Sequence, residues 1–176
     1  MQKVKMPVEL DPVKSAQKRS DYNGIYRLED LTRLREAVLS ETGQVDVSLR
    51  CTYDEQKLPV MLINAVTDVD VTCERCGQPM PLHIELSATF TPKTMRLDED
   101  LVPSTYAIVE ANDYGLVDLR ALIEDELMLE IPLIPKHEVE NCAIKEQDMV
   151  WGELDKAAYE KPSNPFDVLK SLKNPK

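Results

Sequence analysis

Alternating hydrophobic and polar residues dominate the middle of the chain. The stretch QVDVSLRCTY places Val45, Val47, Leu49 and Cys51 on one side, and LPVMLINAVTDVDVTC and LHIELSATF show the same period of two. Successive side chains of a strand point to opposite faces, so these stretches predict strands with one buried and one exposed face. Short turns between them indicate an antiparallel meander. The stretch KVKMPVEL predicts an edge strand, because Pro7 cannot donate a hydrogen bond to a ladder.

Two other stretches show helical periodicity. LEDLTRLREAVLSETG repeats apolar residues every three or four positions and reaches Gly43, a suitable terminating residue. DLRALIEDELMLEIP begins at Asp118, a favourable N-cap, and ends before Pro132. The arrangement predicts an α+β fold with two main helices, in which residues 1–150 form a single domain.

The remaining residues, 151–176, predict an extended, loosely ordered tail with little capacity to bury surface. Within the tail, NPFDVLKSLK has a capping asparagine followed by proline, a favourable helix start. Its apolar residues recur every three positions and are Phe166, Leu169 and Leu172. A short amphipathic helix of this kind is marginal alone in water. We therefore expect it to become ordered against a surface, either of this protein or of a partner.

The charge is strongly negative, with a net value of −11 and a pI of about 4.7. Between Asp98 and Glu130 the only basic residue is Arg120, so this region would repel a phosphate backbone. Basic residues near the N-terminus are interleaved with acidic ones, and the candidate RNA contacts among them are Lys3, Lys5, Lys14, Lys18 and Arg19. Such a mixed surface predicts weak or indirect RNA contact and favours a basic protein partner.

The acidic triplet Glu124, Asp125 and Glu126 lies in the second predicted helix. Successive helical residues point in different directions, so a solvated face is expected rather than a catalytic or metal cluster. The same face is a candidate contact for a basic partner protein.

No stretch has the apolar core of a signal peptide or the length of a membrane span. The expected location is therefore the cytoplasm, where cysteines remain reduced and lasting disulfides are uncommon.

The most specific motif is Cys73-x-x-Cys76 followed by Gly77. Two thiolates at this spacing can hold one tetrahedral ion, and the sequence HEVENC supplies further donors in His137 and Cys142. These four residues form a candidate metal site, with zinc as the candidate cofactor. A turn with two unligated thiols is the alternative interpretation.

A thiol-dependent reductase is a further alternative. In thioredoxin-like sites the first cysteine begins a helix, whereas here the motif precedes prolines and a strand pattern. Glycine-rich phosphate loops are absent, and no serine or cysteine has a histidine and aspartate set around it. The sequence therefore predicts no enzymatic activity. Cys51 is expected to be buried and His83 to be exposed.

Several segments together resemble the YceD family of large ribosomal RNA subunit accumulation proteins. They are MQKVKMPVELDPVKSAQKRSDYNGIY, CERCGQPM, VDLRALIEDELMLEIPLIPKHEVENC and NPFDVLKSLK. The resemblance implies a cytoplasmic, non-enzymatic factor needed for synthesis, processing or stability of 23S rRNA. It implies no catalytic residues. Many members carry a second cysteine knuckle late in the chain, where this sequence has only His137 and Cys142, so the site is either degenerate or completed by His137.

Overall fold

The computed structural model describes residues 4–94 and 97–145. The strands in this part are β1 (Val4–Lys5), β2 (Glu9–Leu10), β3 (Asp21–Arg27), β4 (Gln44–Tyr53), β5 (Pro59–Thr72), β6 (Pro79–Pro92), β7 (Tyr106–Val109) and β8 (Val117–Asp118). The α-helices are α1 (Pro12–Lys18), α2 (Thr32–Ala37) and α3 (Leu119–Glu130). Short 3-10 helices span Leu28–Asp30 and Glu99–Leu101.

A six-stranded sheet, in the order β1-β3-β4-β5-β6-β7, forms the centre of the fold. The pairs β3–β4, β4–β5 and β5–β6 are antiparallel, whereas β1 and β7 join the two edges in parallel. Strands β2 and β8 form a separate antiparallel pair. The predicted α+β class and central antiparallel meander are confirmed. The longest feature is the β5–β6 hairpin, whose strands have 14 residues each.

The core lies against one face of this sheet. Alternate residues of β4 are buried, as the sequence pattern predicted, and Leu49 is buried together with Ile63 of β5 and Ile84 of β6. Helix α3 packs against β6 and contributes Ile123 to the same cluster. Full burial of such a side chain stabilises the fold by about 1.5–3 kcal/mol. Cys51 is completely buried, so its predicted role as a small core residue is confirmed.

The first predicted helix is much shorter than expected. Helix α2 ends at Ala37, and Val38 is extended, with φ −118° and ψ 167°. Strand β5 continues beyond the residues that pair with β4, so the main-chain N–H and C=O groups of Asp70 are not bonded to β4. Leu39 N–H donates to the carbonyl oxygen of Asp70 at 2.7 Å, and the Ser40 hydroxyl accepts from Asp70 N–H at 2.8 Å. The prediction of a helix reaching Gly43 was wrong, because these hydrogen bonds extend the chain along β5.

The N-terminal region contains more elements than predicted. The expected edge strand is divided into β1 and β2 on either side of Pro7. Helix α1 and strand β3, which the hydrophobic pattern did not indicate, follow directly. The Asp11 carboxylate caps α1 by accepting from Lys14 N–H at 2.9 Å, and Pro12 occupies the first turn. The protein therefore has three α-helices in its described part, rather than two.

The chain divides into two compact units, Met1–Ala143 and Ile144–Lys176. All the elements above belong to the first unit. The predicted amphipathic helix of the tail, with Phe166, Leu169 and Leu172, lies outside the described residues. No helix of the described part has the length and apolar character needed to cross a membrane.

Candidate metal centre

The turn of the long hairpin places two thiols at its tip. The alternation of β5, with Val69 and Val71 buried, carries Cys73 to the same buried side. Cys73 N–H donates to the carbonyl oxygen of Gln78 at 2.9 Å, and Gly77 N–H donates to the carbonyl oxygen of Cys73 at 2.8 Å. Gly77 has a φ of +70°, a left-handed conformation that costs other residues energy. The backbone thus folds into a tight knuckle that turns Cys76 back toward Cys73.

The segment after α3 supplies the other two donors. Glu74 N–H donates to the carbonyl oxygen of Pro135 at 2.8 Å, which holds this segment against the hairpin turn. Beyond His137, Asn141 and Cys142 both donate backbone N–H groups to the carbonyl oxygen of Glu138. This turn returns the chain to the cysteines of the hairpin.

The four predicted ligands come together. One donor atom of each of Cys73, Cys76, His137 and Cys142 lies within 4.8 Å of every other. Tetrahedral zinc with Zn–S bonds near 2.3 Å separates its sulfurs by about 3.8 Å. Cys73 and Cys142 are buried, whereas Cys76 and His137 are partly exposed. The donor set of three thiols and one imidazole is typical of closed structural zinc sites.

The hydrogen bonds of His137 orient its ring toward the cysteines. Its Nε2 lies 3.2 Å from the carbonyl oxygen of Pro79, which can only accept, so Nε2 carries the proton. In the neutral ring Nδ1 is then the unprotonated nitrogen, and it lies 3.4 Å from the sulfur of Cys76. A ligating histidine characteristically donates its other ring nitrogen to a carbonyl in this way. The hydrogen bond to Pro79 therefore fits metal binding through Nδ1.

The surroundings of Cys73 favour a thiolate. Burial opposes ionisation, but hydrogen bonds from the backbone amides of His137, Cys76 and Arg75 outweigh it and lower the pKa of Cys73 to about 6. The amide of His137 lies 3.3 Å from the sulfur. Hydrogen bonds to Cys76 and Cys73 raise the pKa of His137. Metals bind thiolates, so the knuckle is electrostatically prepared for a cation. No helix begins at the motif, because the turn leads directly into β6.

The acidic triplet of α3 is divided between two environments. Glu124 is buried, and its Oε1 accepts from the backbone N–H groups of Arg33 at 2.7 Å and Leu34 at 3.1 Å. Glu124 thus caps the N-terminus of α2 from another helix, and its expected position on a solvated face is corrected. Asp125 is exposed and pairs with the Arg33 guanidinium. Glu126 is half-buried, and its burial and the neighbouring carboxylates raise its pKa. Partner binding by this face stays a prediction.

The predicted RNA contacts are partly neutralised by the chain itself. Lys5 pairs with Asp30 at 3.0 Å, and Lys14 pairs with Asp11 at 2.9 Å. Lys18 and Arg19 are exposed at the end of α1, whereas Lys3 lies outside the described residues.

Two important contacts had no signal in the sequence. The Pro79 carbonyl, which orients His137, belongs to the backbone and could be any residue type. The cap of α2 by Glu124 joins positions about 90 residues apart. The residues after the knuckle, two prolines and then a strand pattern, indicated only that no helix follows it.

Fold and site together define an α+β protein with a candidate structural metal centre of three sulfurs and one nitrogen. The family model of the large ribosomal RNA subunit accumulation protein YceD matches residues 62–173. A protein of that name from Haemophilus influenzae is 41% identical over 173 residues, which cover 98% of this chain and 99% of the relative. The chain therefore belongs to the YceD family. No solved structure matches it.

Proposed function

We propose that this protein is a non-catalytic factor that supports accumulation of large-subunit ribosomal RNA, through synthesis, processing or stability of 23S rRNA. The observation that carries the proposal is family membership over nearly the full length of the chain. The described residues also bring together the donors of a structural type of metal centre, Cys73, Cys76, His137 and Cys142, which supports a binding role.

The factor acts through a basic protein partner, either a ribosomal protein or an rRNA-processing factor. A net charge of −11 repels RNA but attracts basic proteins over long distances. Direct RNA binding by the N-terminal segment is less well supported, because Lys5 and Lys14 already pair with carboxylates. A thiol-dependent reductase is also less well supported, because β6 rather than a helix follows the knuckle.

The proposed role of the metal is structural. Cys73, Cys76, Cys142 and Nδ1 of His137 would hold zinc, which would cross-link the hairpin turn to the segment after α3. Residues 131–142 of that segment contain no helix or strand, so few regular hydrogen bonds stabilise their position.

Depletion of the protein in its own cells tests the rRNA role. We expect the amount of 23S rRNA relative to 16S rRNA to fall and to recover when the wild-type protein is restored. An unchanged ratio after complete depletion would reject the role. Ultraviolet crosslinking in the same cells separates the two modes of action, because direct binding predicts an RNA-linked peptide within residues 3–35.

Metal analysis of protein purified without a chelator or histidine tag tests the centre. We expect roughly one zinc per chain in the wild type and below about a tenth of an equivalent in Cys142→Ser. Cys51→Ala is the matched control, because Cys51 is also buried but lies within β4 rather than at the cluster. Metal-free wild-type protein that folds normally would exclude a resident zinc ion.

A further inference from the structure

A groove lies beside the candidate metal centre, between the end of α2 and the segment that follows α3. Its volume is about 350 Å³, within the range of small binding sites. One wall is formed by residues 36–39, and the other by Ile131, Pro132 and Pro135. Val71 and Thr72 of β5, with Glu74 of the hairpin turn, complete the lining.

Hydrogen bonds to β5 and its turn fix both walls of the groove. Leu39 N–H donates to the Asp70 carbonyl at 2.7 Å, and Glu74 N–H donates to the Pro135 carbonyl at 2.8 Å. The second wall also leads directly to His137 of the candidate centre. A groove with fixed walls binds with less loss of conformational entropy than one formed on binding.

Apolar side chains are exposed around the groove. Leu39 is 48% exposed, and Leu133 and Ile134, which lie between two lining prolines, are 101% and 60% exposed. Single exposed apolar residues are ordinary, but several beside one groove are typical of a protein contact.

The charges in the lining indicate which class of molecule the groove can bind. Glu36 and Glu74 line the groove and are exposed, and the described lining contains no basic residue. Carboxylates repel phosphates, and no aromatic side chain in this lining offers a surface for base stacking. A second copy of a chain with net charge −11 would also be repelled.

We propose that this groove binds a basic, apolar segment of a protein partner. Apolar side chains of the segment enter between Leu39 and Pro135, and its lysine or arginine residues pair with Glu36 and Glu74. The inference rests on the proposed action through a protein partner and assigns that action to a surface other than the acidic face of α3.

Site-specific photocrosslinking of the full chain in its own cells tests the proposal. A benzophenone side chain replaces Leu39 in one variant and Leu101, which is 68% exposed outside the groove, in the control. We expect the variant at position 39, but not the control, to crosslink a protein peptide that contains several lysine or arginine residues among apolar ones. Crosslinks only to RNA, to a second copy or to the chain's own residues 151–176, or none above the control, would overturn it.

A synthetic copy of the crosslinked peptide then measures the role of the two carboxylates. The double variant Glu36→Gln and Glu74→Gln should bind it about tenfold more weakly at low salt and with less salt dependence. The control, Glu55→Gln with Glu85→Gln, removes equal charge from exposed positions outside the lining and should bind like wild type. Equal affinity of both double variants would exclude the proposed pairing.

The depletion experiment keeps the two proposals separate. Loss of 23S rRNA on depletion together with negative crosslinking would reject the groove and leave the rRNA role standing. An unchanged 23S rRNA level would reject the rRNA role whatever the groove binds.

Discussion

The Nε2 atom of His137 lies 3.2 Å from the carbonyl oxygen of Pro79 and thereby turns Nδ1 toward the sulfur of Cys76, 3.4 Å away. This relationship explains how a chain without a second cysteine knuckle retains a four-donor site. An imidazole oriented by a backbone carbonyl is the fourth donor beside three thiols. Family membership therefore does not require four cysteines for a complete set of donors.

His137→Ala should lose metal because it removes one of the four donor groups. His137→Cys should retain it, since a thiolate is also a zinc ligand and sites built from four cysteines are common. Cobalt substitution is the measurement, because tetrahedral thiolate sites give characteristic visible absorption. Wild-type cobalt affinity and a wild-type spectrum in both His137→Ala and His137→Cys would contradict a ligand role for His137.

Gly77→Ala should weaken metal binding through the backbone alone. Gly77 has a φ of +70°, and an added Cβ would meet no atom within 4 Å. The left-handed conformation costs a non-glycine residue about 1–2 kcal/mol, which the knuckle must absorb. Gly115→Ala is the matched control, with a φ of +75°, equally open surroundings and a position in the turn before β8. Metal titration should show weaker binding only for Gly77→Ala, and equal binding would contradict the proposed knuckle geometry.

Glu124→Ala should destabilise the fold by about 2–3 kcal/mol, because it leaves two backbone N–H groups of α2 without their charged acceptor. Glu124→Gln retains one acceptor oxygen and should lose less stability than Glu124→Ala. Asp125→Asn changes the exposed partner of the same arginine and should have a much smaller effect. Urea denaturation measures the three free energies of unfolding. A similar loss for Asp125→Asn and Glu124→Ala would show that the cap is unimportant.

Tyr26 should make stability fall at alkaline pH. Its hydroxyl donates to the Pro7 carbonyl at 2.6 Å, and burial, followed by the charge of Asp118, raises its pKa above the ordinary value near 10. Above pH about 10 the unfolded chain therefore loses this proton before the folded protein does, which favours unfolding. The stability contribution is complete below that pH and is lost as pH rises toward the folded-state pKa.

Tyr26→Phe isolates this effect. The variant should lose about 1 kcal/mol at neutral pH, because the Pro7 carbonyl loses its donor, and should show a shallower decline above pH about 10. Urea denaturation at neutral pH and above pH about 10 measures the free energy of unfolding of the variant and of the wild type. Parallel pH profiles for the variant and the wild type would rule out a contribution from Tyr26.

The predictions from sequence succeeded where local periodicity determines the structure. Strand β4 and the hairpin β5–β6 follow the period of two, and α3 begins at its predicted cap, Asp118, whose carboxylate accepts from Ala121 N–H at 2.9 Å. Helix α1 was missed, because seven residues are too few for a helical hydrophobic pattern, although Asp11 and Pro12 are a standard start signal.

The sequence by itself determined the α+β class, the hairpin turn and the identity of the candidate metal donors, because each depends on residue types at short spacing. Only the tertiary structure decided that the sulfur of Cys76 and Nδ1 of His137, 61 positions apart, lie 3.4 Å from each other. It also decided that Glu124 is buried and caps α2. It also created the groove between residues 36–39 and Pro135. Contacts over such separations depend on how whole elements pack, and packing is not encoded in any local pattern.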